Sequence, residues 1–212
     1  MERVFFDRDL LTEYLLPLLP LYDVFSLFES HPGFHRAYKR KYNESRSTFH
    51  MFNLRIQRAL TQFYGEENMQ ILMNHMSTGT LRLTGGFLLA IINAENIFQC
   101  EDVDFVCKVV KIRRDAERTE RVRDIARTLK KAIHIRTPLN FYESVFAVDT
   151  LNVNGKKLQI VLIRTKLDTY LNEFDFSFCA NCYGKGKLVI TSPEAVKNKS
   201  STVHLQLKYG KY

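Results

Sequence analysis

The chain has 212 residues, 45% of them hydrophobic and 25% charged, with a net charge of +8 and four cysteines. Such a chain buries a core without disulfides; it is no cysteine scaffold or low-complexity chain, and no apolar run approaches the roughly 18 residues of a membrane span. The positive charge favours polyanions such as nucleic acid or nucleotides, and the opening residues, with Glu2, Arg3, Asp7 and Asp9, lack the apolar stretch of a secretory leader, so an intracellular protein is expected.

Residues 1–48 are rich in Leu, Phe and Tyr, with Pro17, Pro20 and Pro32 as breaks. Three short helices are predicted: one at Leu10, Leu11, Tyr14 and Leu15, one from Tyr22 to Phe28, and one from Phe34 to Tyr42 that ends on Lys39, Arg40 and Lys41. Residues 49–76 carry Leu54, Leu60, Phe63, Met69, Leu72, Met73 and Met76 at helical spacing, broken at Gly65. The pattern then changes to short strands. Leu81, Leu83 and Thr84 form the first, Gly85-Gly86 a tight turn, Phe87 to Phe98 an apolar helix, and Val103 to Val110 a second strand. Residues 113–133 read as a charged amphipathic helix with Val122, Ile125, Ala126, Leu129 and Ile133 on one face. Phe146 to Val153 and Lys157 to Ile163 alternate about Asn154-Gly155, a strong hairpin signal. A short helix near Leu167 to Leu171 precedes a last core strand, Phe174 to Cys179, then an arm from Lys187 to Thr191 and a helix started by Pro193. The order is that of an α+β fold with one central mixed sheet and flanking helices.

The chemistry concentrates between Thr84 and Phe105. Two glycines between a strand and a helix let backbone N–H groups approach an anion, and the helix N-terminus adds partial positive charge there. Asp102 and Asp104 are two apart on a strand, so both face the same side. Two carboxylates that close repel unless a cation lies between them, and oxygen-rich sites suit Mg²⁺ or Mn²⁺. A phosphate cradle beside a divalent-cation site is apparatus for phosphoryl or nucleotidyl transfer. The basic stretch from Lys108 to Arg136 fits a nucleic-acid backbone or, interleaved with Asp115, Glu117, Glu120 and Asp124, a solvated salt-bridged helix. Cys179 and Cys182 form a lone C-x-x-C, read as reduced core thiols.

Leu83-Thr84-Gly85-Gly86-Phe87, then a helix, then Glu101-Asp102-Val103-Asp104-Phe105 resembles the signature of the polymerase β-type nucleotidyltransferase superfamily. Residues 159–163 and 170–175 are similar to nucleotidyltransferase-like proteins of large DNA viruses and some eukaryotes. The resemblance covers residues 49–212 and supplies a third carboxylate, Asp175. It implies a two-metal nucleotidyltransferase. Asp102, Asp104 and Asp175 would be the catalytic metal ligands for Mg²⁺ or Mn²⁺, and Thr84, Gly85 and Gly86 would bind a nucleoside triphosphate such as ATP. A hydroxyl, on nucleic acid or elsewhere, would be the acceptor. Phe87 stands where many active members carry Ser, which leaves open a catalytically inactive structural or binding protein, for example a viral component. Residues 1–48 resemble an F-box in outline, which implies an adaptor that recruits a protein partner; a helical cap packed on the main domain is the alternative.

Overall fold

The computed structural model describes residues 16–33, 36, 47–108, 115–130, 132–137, 144–174 and 176–198. The expected helices at Leu10–Leu15 and Phe34–Tyr42 lie outside these residues, apart from Arg36.

The first described helix is α1 (Leu21–Ser30), which follows a 3-10 turn at Leu16–Leu18. The predicted 49–76 helical region is two helices, α2 (Ser47–Tyr64) and α3 (Glu66–Thr78), divided at Gly65. Leu21, Val24 and Phe28 from α1 join Ile56, Leu60 and Phe63 from α2 and Leu72 and Met76 from α3 in one core. The Arg55 guanidinium donates to the Leu16 carbonyl and ties the N-terminal segment to α2. The described part of that segment therefore shares its core with α2 and α3.

Seven strands form one mixed sheet: β1 (Arg82–Thr84), β2 (Asp102–Lys108), β3 (Ala132–Thr137), β4 (Val145–Val153), β5 (Lys156–Ile163), β6 (Asn181–Gly184) and β7 (Lys187–Ile190). Their order is β3-β4-β5-β2-β1-β6-β7. Among the described residues β2 and β5 run parallel and the other pairs are antiparallel. The α+β class is thus as expected. The β4–β5 hairpin turns where the sequence places it, with Asn154 at φ 54° and Gly155 at φ 80°.

Alternation along the central strands separates two faces. Val103, Phe105 and Cys107 of β2 and Leu158, Ile160 and Leu162 of β5 point into the helix-covered core, joined by α4 (Gly85–Ile92) and by Val122 and Ile125 of α5 (Asp115–Thr128). Val106, Val161 and Ile163 point the other way, into a smaller cluster with Val148 and with Tyr170 and Leu171 of α6 (Leu167–Leu171). Asp102 and Asp104 share this second face, beyond the end of that cluster.

Four local readings need correction. The helix expected from Phe87 to Phe98 runs from Gly85 to Ile92 and includes both glycines; Ala94, at φ 53°, breaks it before a 3-10 turn at Ile97–Gln99. The helix expected to reach residue 133 stops at Thr128, whose hydroxyl donates to the Ile125 carbonyl at 2.7 Å. Ile133 instead lies in β3, where Ile133, Ile135 and Thr137 alternate with His134 and Arg136 in a strand pattern, and it is 66% exposed at the sheet edge. The strand expected over Phe174–Cys179 is a single bridge at Phe176 followed by a 3-10 turn at Ser177–Cys179, closed by Cys179 N–H to the Phe176 carbonyl at 3.0 Å. The strand that pairs with β1 is β6, and β7 and α7 (Pro193–Asn198) follow it. Residues 109 and 110, expected to extend β2, lie outside the described residues.

Candidate active site

β1 and β2 pair with Thr84 opposite Asp104, and α4 begins at the next residue. This register sets the Gly85 backbone against the Asp104 side chain. A Cβ at Gly85 would overlap Asp104 Oδ2 and would lie 3.3 Å from its Cβ and Cγ. Gly85 also holds φ 74°, where side chains are strained. Both constraints select glycine. Gly86 is exposed and faces open space. No side chain caps the first turn of α4, so its backbone N–H groups are available to an anion.

The register of β2 on β5 sets Asp102 opposite Lys157 and Asp104 opposite Gln159. Gln159 Nε2 donates to Asp102 Oδ2 at 2.7 Å. Burial raises the Asp102 carboxyl; the Lys157 charge opposes that rise, Glu101 adds to it, and the Asp102 backbone N–H opposes it. Asp104 is deeper. Burial, and then repulsion from Asp102, push its carboxyl up to about 7. Among the described residues none supplies Asp104 with a hydrogen bond or a positive charge.

The surroundings bend to the same field. The Tyr64 hydroxyl donates to the Lys157 carbonyl at 2.7 Å, and burial plus the charges of Asp102 and Asp104 raise its pKa. Burial and then Asp102 raise Cys100, and burial and then Asp104 push Cys179 up to about 11. None of Cys100, Cys107, Cys179 and Cys182 forms a disulfide.

The remaining sequence candidates are placed as follows. Thr84 is fully buried, and its hydroxyl donates to the Asn181 carbonyl at 2.7 Å, so it holds β1 to the start of β6. Asp175 lies outside the described residues. Phe87 is 1% exposed and meets Phe63 edge-on at 5.1 Å between ring centroids, so its side chain fills the core. Sequence reasoning assigned no role to Gln159 or Tyr64 and read Cys179 as a reduced core thiol. Gln159 was legible only through the β2–β5 register, which pairs residues 55 apart.

The residues present fit a divalent cation. Two half-buried carboxylates face one side, Asp104 without a partner among the described residues, and a cation would offset both its lost hydration and its repulsion from Asp102. Among the described residues no three His, Cys, Asp or Glu side chains form a metal-holding group. Among the described residues no helix is long and apolar enough to cross a membrane.

No protein-family model and no curated protein matches this chain. Among solved structures the chain is similar to the CCA-adding enzyme of Thermotoga maritima complexed with tRNA, at 15% identity and a TM-score of 0.47. The match covers 70% of this chain and 35% of that one, so the chain spans about a third of that enzyme's length. What the site can do follows from its own geometry.

Proposed function

We propose that the chain transfers a nucleotidyl group from a nucleoside triphosphate to an acceptor hydroxyl, on nucleic acid or another molecule. The observation that carries this reading is the Gly85–Asp104 contact. It sets an uncapped helix N-terminus, which attracts phosphate, against a carboxylate pair that wants a cation. Asp102 and Asp104 would hold Mg²⁺ or Mn²⁺, with Asp175 as the third ligand from the sequence pattern. The metal supplies charge neutralisation on the triphosphate and a more acidic acceptor hydroxyl. Gln159 holds one oxygen of Asp102, which fixes how the carboxylate faces the site. The N–H groups at the start of α4 receive phosphate oxygens. A cation held there would favour the ionised form of Asp104. The net charge of +8 favours a polyanionic substrate.

A second reading, a binding or structural protein without catalysis, is favoured by Phe87 and Thr84. One fills the core and the other is bonded to β6, so no side-chain hydroxyl from residues 84–87 reaches the phosphate position. Transfer of labelled nucleotide from each of the four NTPs to RNA, DNA and the protein itself, with Mg²⁺ or Mn²⁺, separates the two. Transfer that disappears with Asp102→Asn and Asp104→Asn supports the enzyme. No transfer, together with no metal-dependent NTP binding, removes it.

A further inference from the structure

Large apolar side chains are exposed at only a few described positions, and one of them adjoins the acids. Phe176 is 45% exposed and lies flat against Phe178, with centroids 5.3 Å apart and ring planes 12° from parallel. The 3-10 turn that follows, Ser177–Cys179, packs against α4, the helix that opens at Gly85 beside Asp104, and leads to Asn181, whose carbonyl accepts from the Thr84 hydroxyl. Ser177 Oγ and Asn181 Oδ1 are both buried without a partner among the described residues, and Asn181 Nδ2 donates to the Phe178 carbonyl. Unsatisfied buried polar atoms cost free energy, which a donor brought by a ligand offsets.

We propose that Phe176, backed by Phe178, is the stacking platform for a nucleobase at this site. The proposal rests on the nucleotidyl-transfer reading for its ligand and goes beyond it by assigning base contact to a named ring. An aromatic face held parallel to a supporting ring loses little freedom when a base lies on it. Any base has a π-face, so such a platform tolerates sequence variation. The shared chemistry is a planar base; the NTP and the terminal residue of a single-stranded acceptor are its two sources.

The chain contains no Trp, so Phe176→Trp introduces a single reporter. Its fluorescence is titrated with each of the four NTPs, with inorganic tripolyphosphate and with a short single-stranded RNA, in the full chain with Mg²⁺. Quenching by NTP but not by tripolyphosphate supports a base contact with the nucleotide. Quenching by RNA alone supports the same platform and assigns it to the acceptor. Equal quenching by tripolyphosphate, or none by any base-containing probe, overturns the proposal. In the transfer assay Phe176→Ala raises KM for the base-bearing substrate roughly 10-fold, with a smaller effect on kcat. Transfer by the wild type with an unmoved KM in Phe176→Ala sinks the platform and leaves the enzyme standing. Quenching without transfer does the reverse.

Discussion

Asp104→Asn should stabilise the protein at neutral pH while removing its activity. The Asp104 carboxyl rises from 3.8 to about 7 in the folded chain. Below pH 4 both folded and unfolded chains hold the proton, and the group contributes no difference. Between 4 and 7 only the folded chain holds it, so stability falls as pH rises. Above 7 the full cost of the buried charge is present. At about 1.4 kcal/mol per pH unit the ceiling is about 4 kcal/mol, and partial access to solvent reduces it to roughly 2. The substitution removes that cost. In metal-free buffer, urea unfolding of Asp104→Asn at pH 8 should show a gain of about 2 kcal/mol and a Tm roughly 4–8 °C higher, shrinking toward zero at pH 4. Added Mg²⁺ or Mn²⁺ should raise the Tm of the wild type and leave that of the variant where it is. An equal effect of Asp104→Asn at pH 4 and pH 8, or a loss of stability at pH 8, would refute the reasoning.

Gly85→Ala should cost about 1–3 kcal/mol in urea unfolding, from a strained φ and the overlap with Asp104, and should abolish transfer. Gln159→Leu should leave the far-ultraviolet spectrum intact and weaken Mn²⁺ binding roughly 10- to 100-fold by calorimetry, since Asp102 loses the donor that orients it. Phe87→Ser should not restore a phosphate-binding hydroxyl; it should cost about 3–5 kcal/mol, because the ring is packed in the core against Phe63. A gain in transfer rate by Phe87→Ser would show that the side chain reaches the site.

The strongly periodic parts of the chain were legible. The break at Gly65, the Asn154-Gly155 hairpin and the alternation of β5 depend on residues close in sequence, where spacing and turn chemistry decide. The failures share a cause. Phe174 to Cys179 carries the aromatic alternation of a strand, yet hydrogen bonds local to residues 176–180 close it into a turn. Ile133 fits a helix face by spacing, yet its backbone pairs opposite Asn152 in an edge strand. The acid pair and the glycines were visible because two-residue spacing on a strand has one geometric meaning. The Asp102–Gln159 bond was not, since a parallel register between distant strands leaves no local trace.

The energetics bear on the choice between enzyme and silent fold. A protein that used this sheet only as a scaffold would gain from a neutral side chain at position 104. The carboxylate there is half-buried, repelled by Asp102 and without a partner among the described residues. The glycine at 85 adds an entropic cost of its own, and it is required only because Asp104 occupies the space a Cβ would take and the chain turns through φ 74°. Two unfavourable choices that depend on each other make physical sense if a cation repays both: it neutralises the acids, and the open approach at Gly85 and Gly86 leaves room for a phosphate beside them. On the scaffold reading, the single variant Asp104→Ala is free of the charge and keeps glycine at the φ of 74°. It should then be at least as stable as the wild type in saturating Mg²⁺. On the enzyme reading it loses the metal-dependent rise in Tm, and the wild type overtakes it as Mg²⁺ is added.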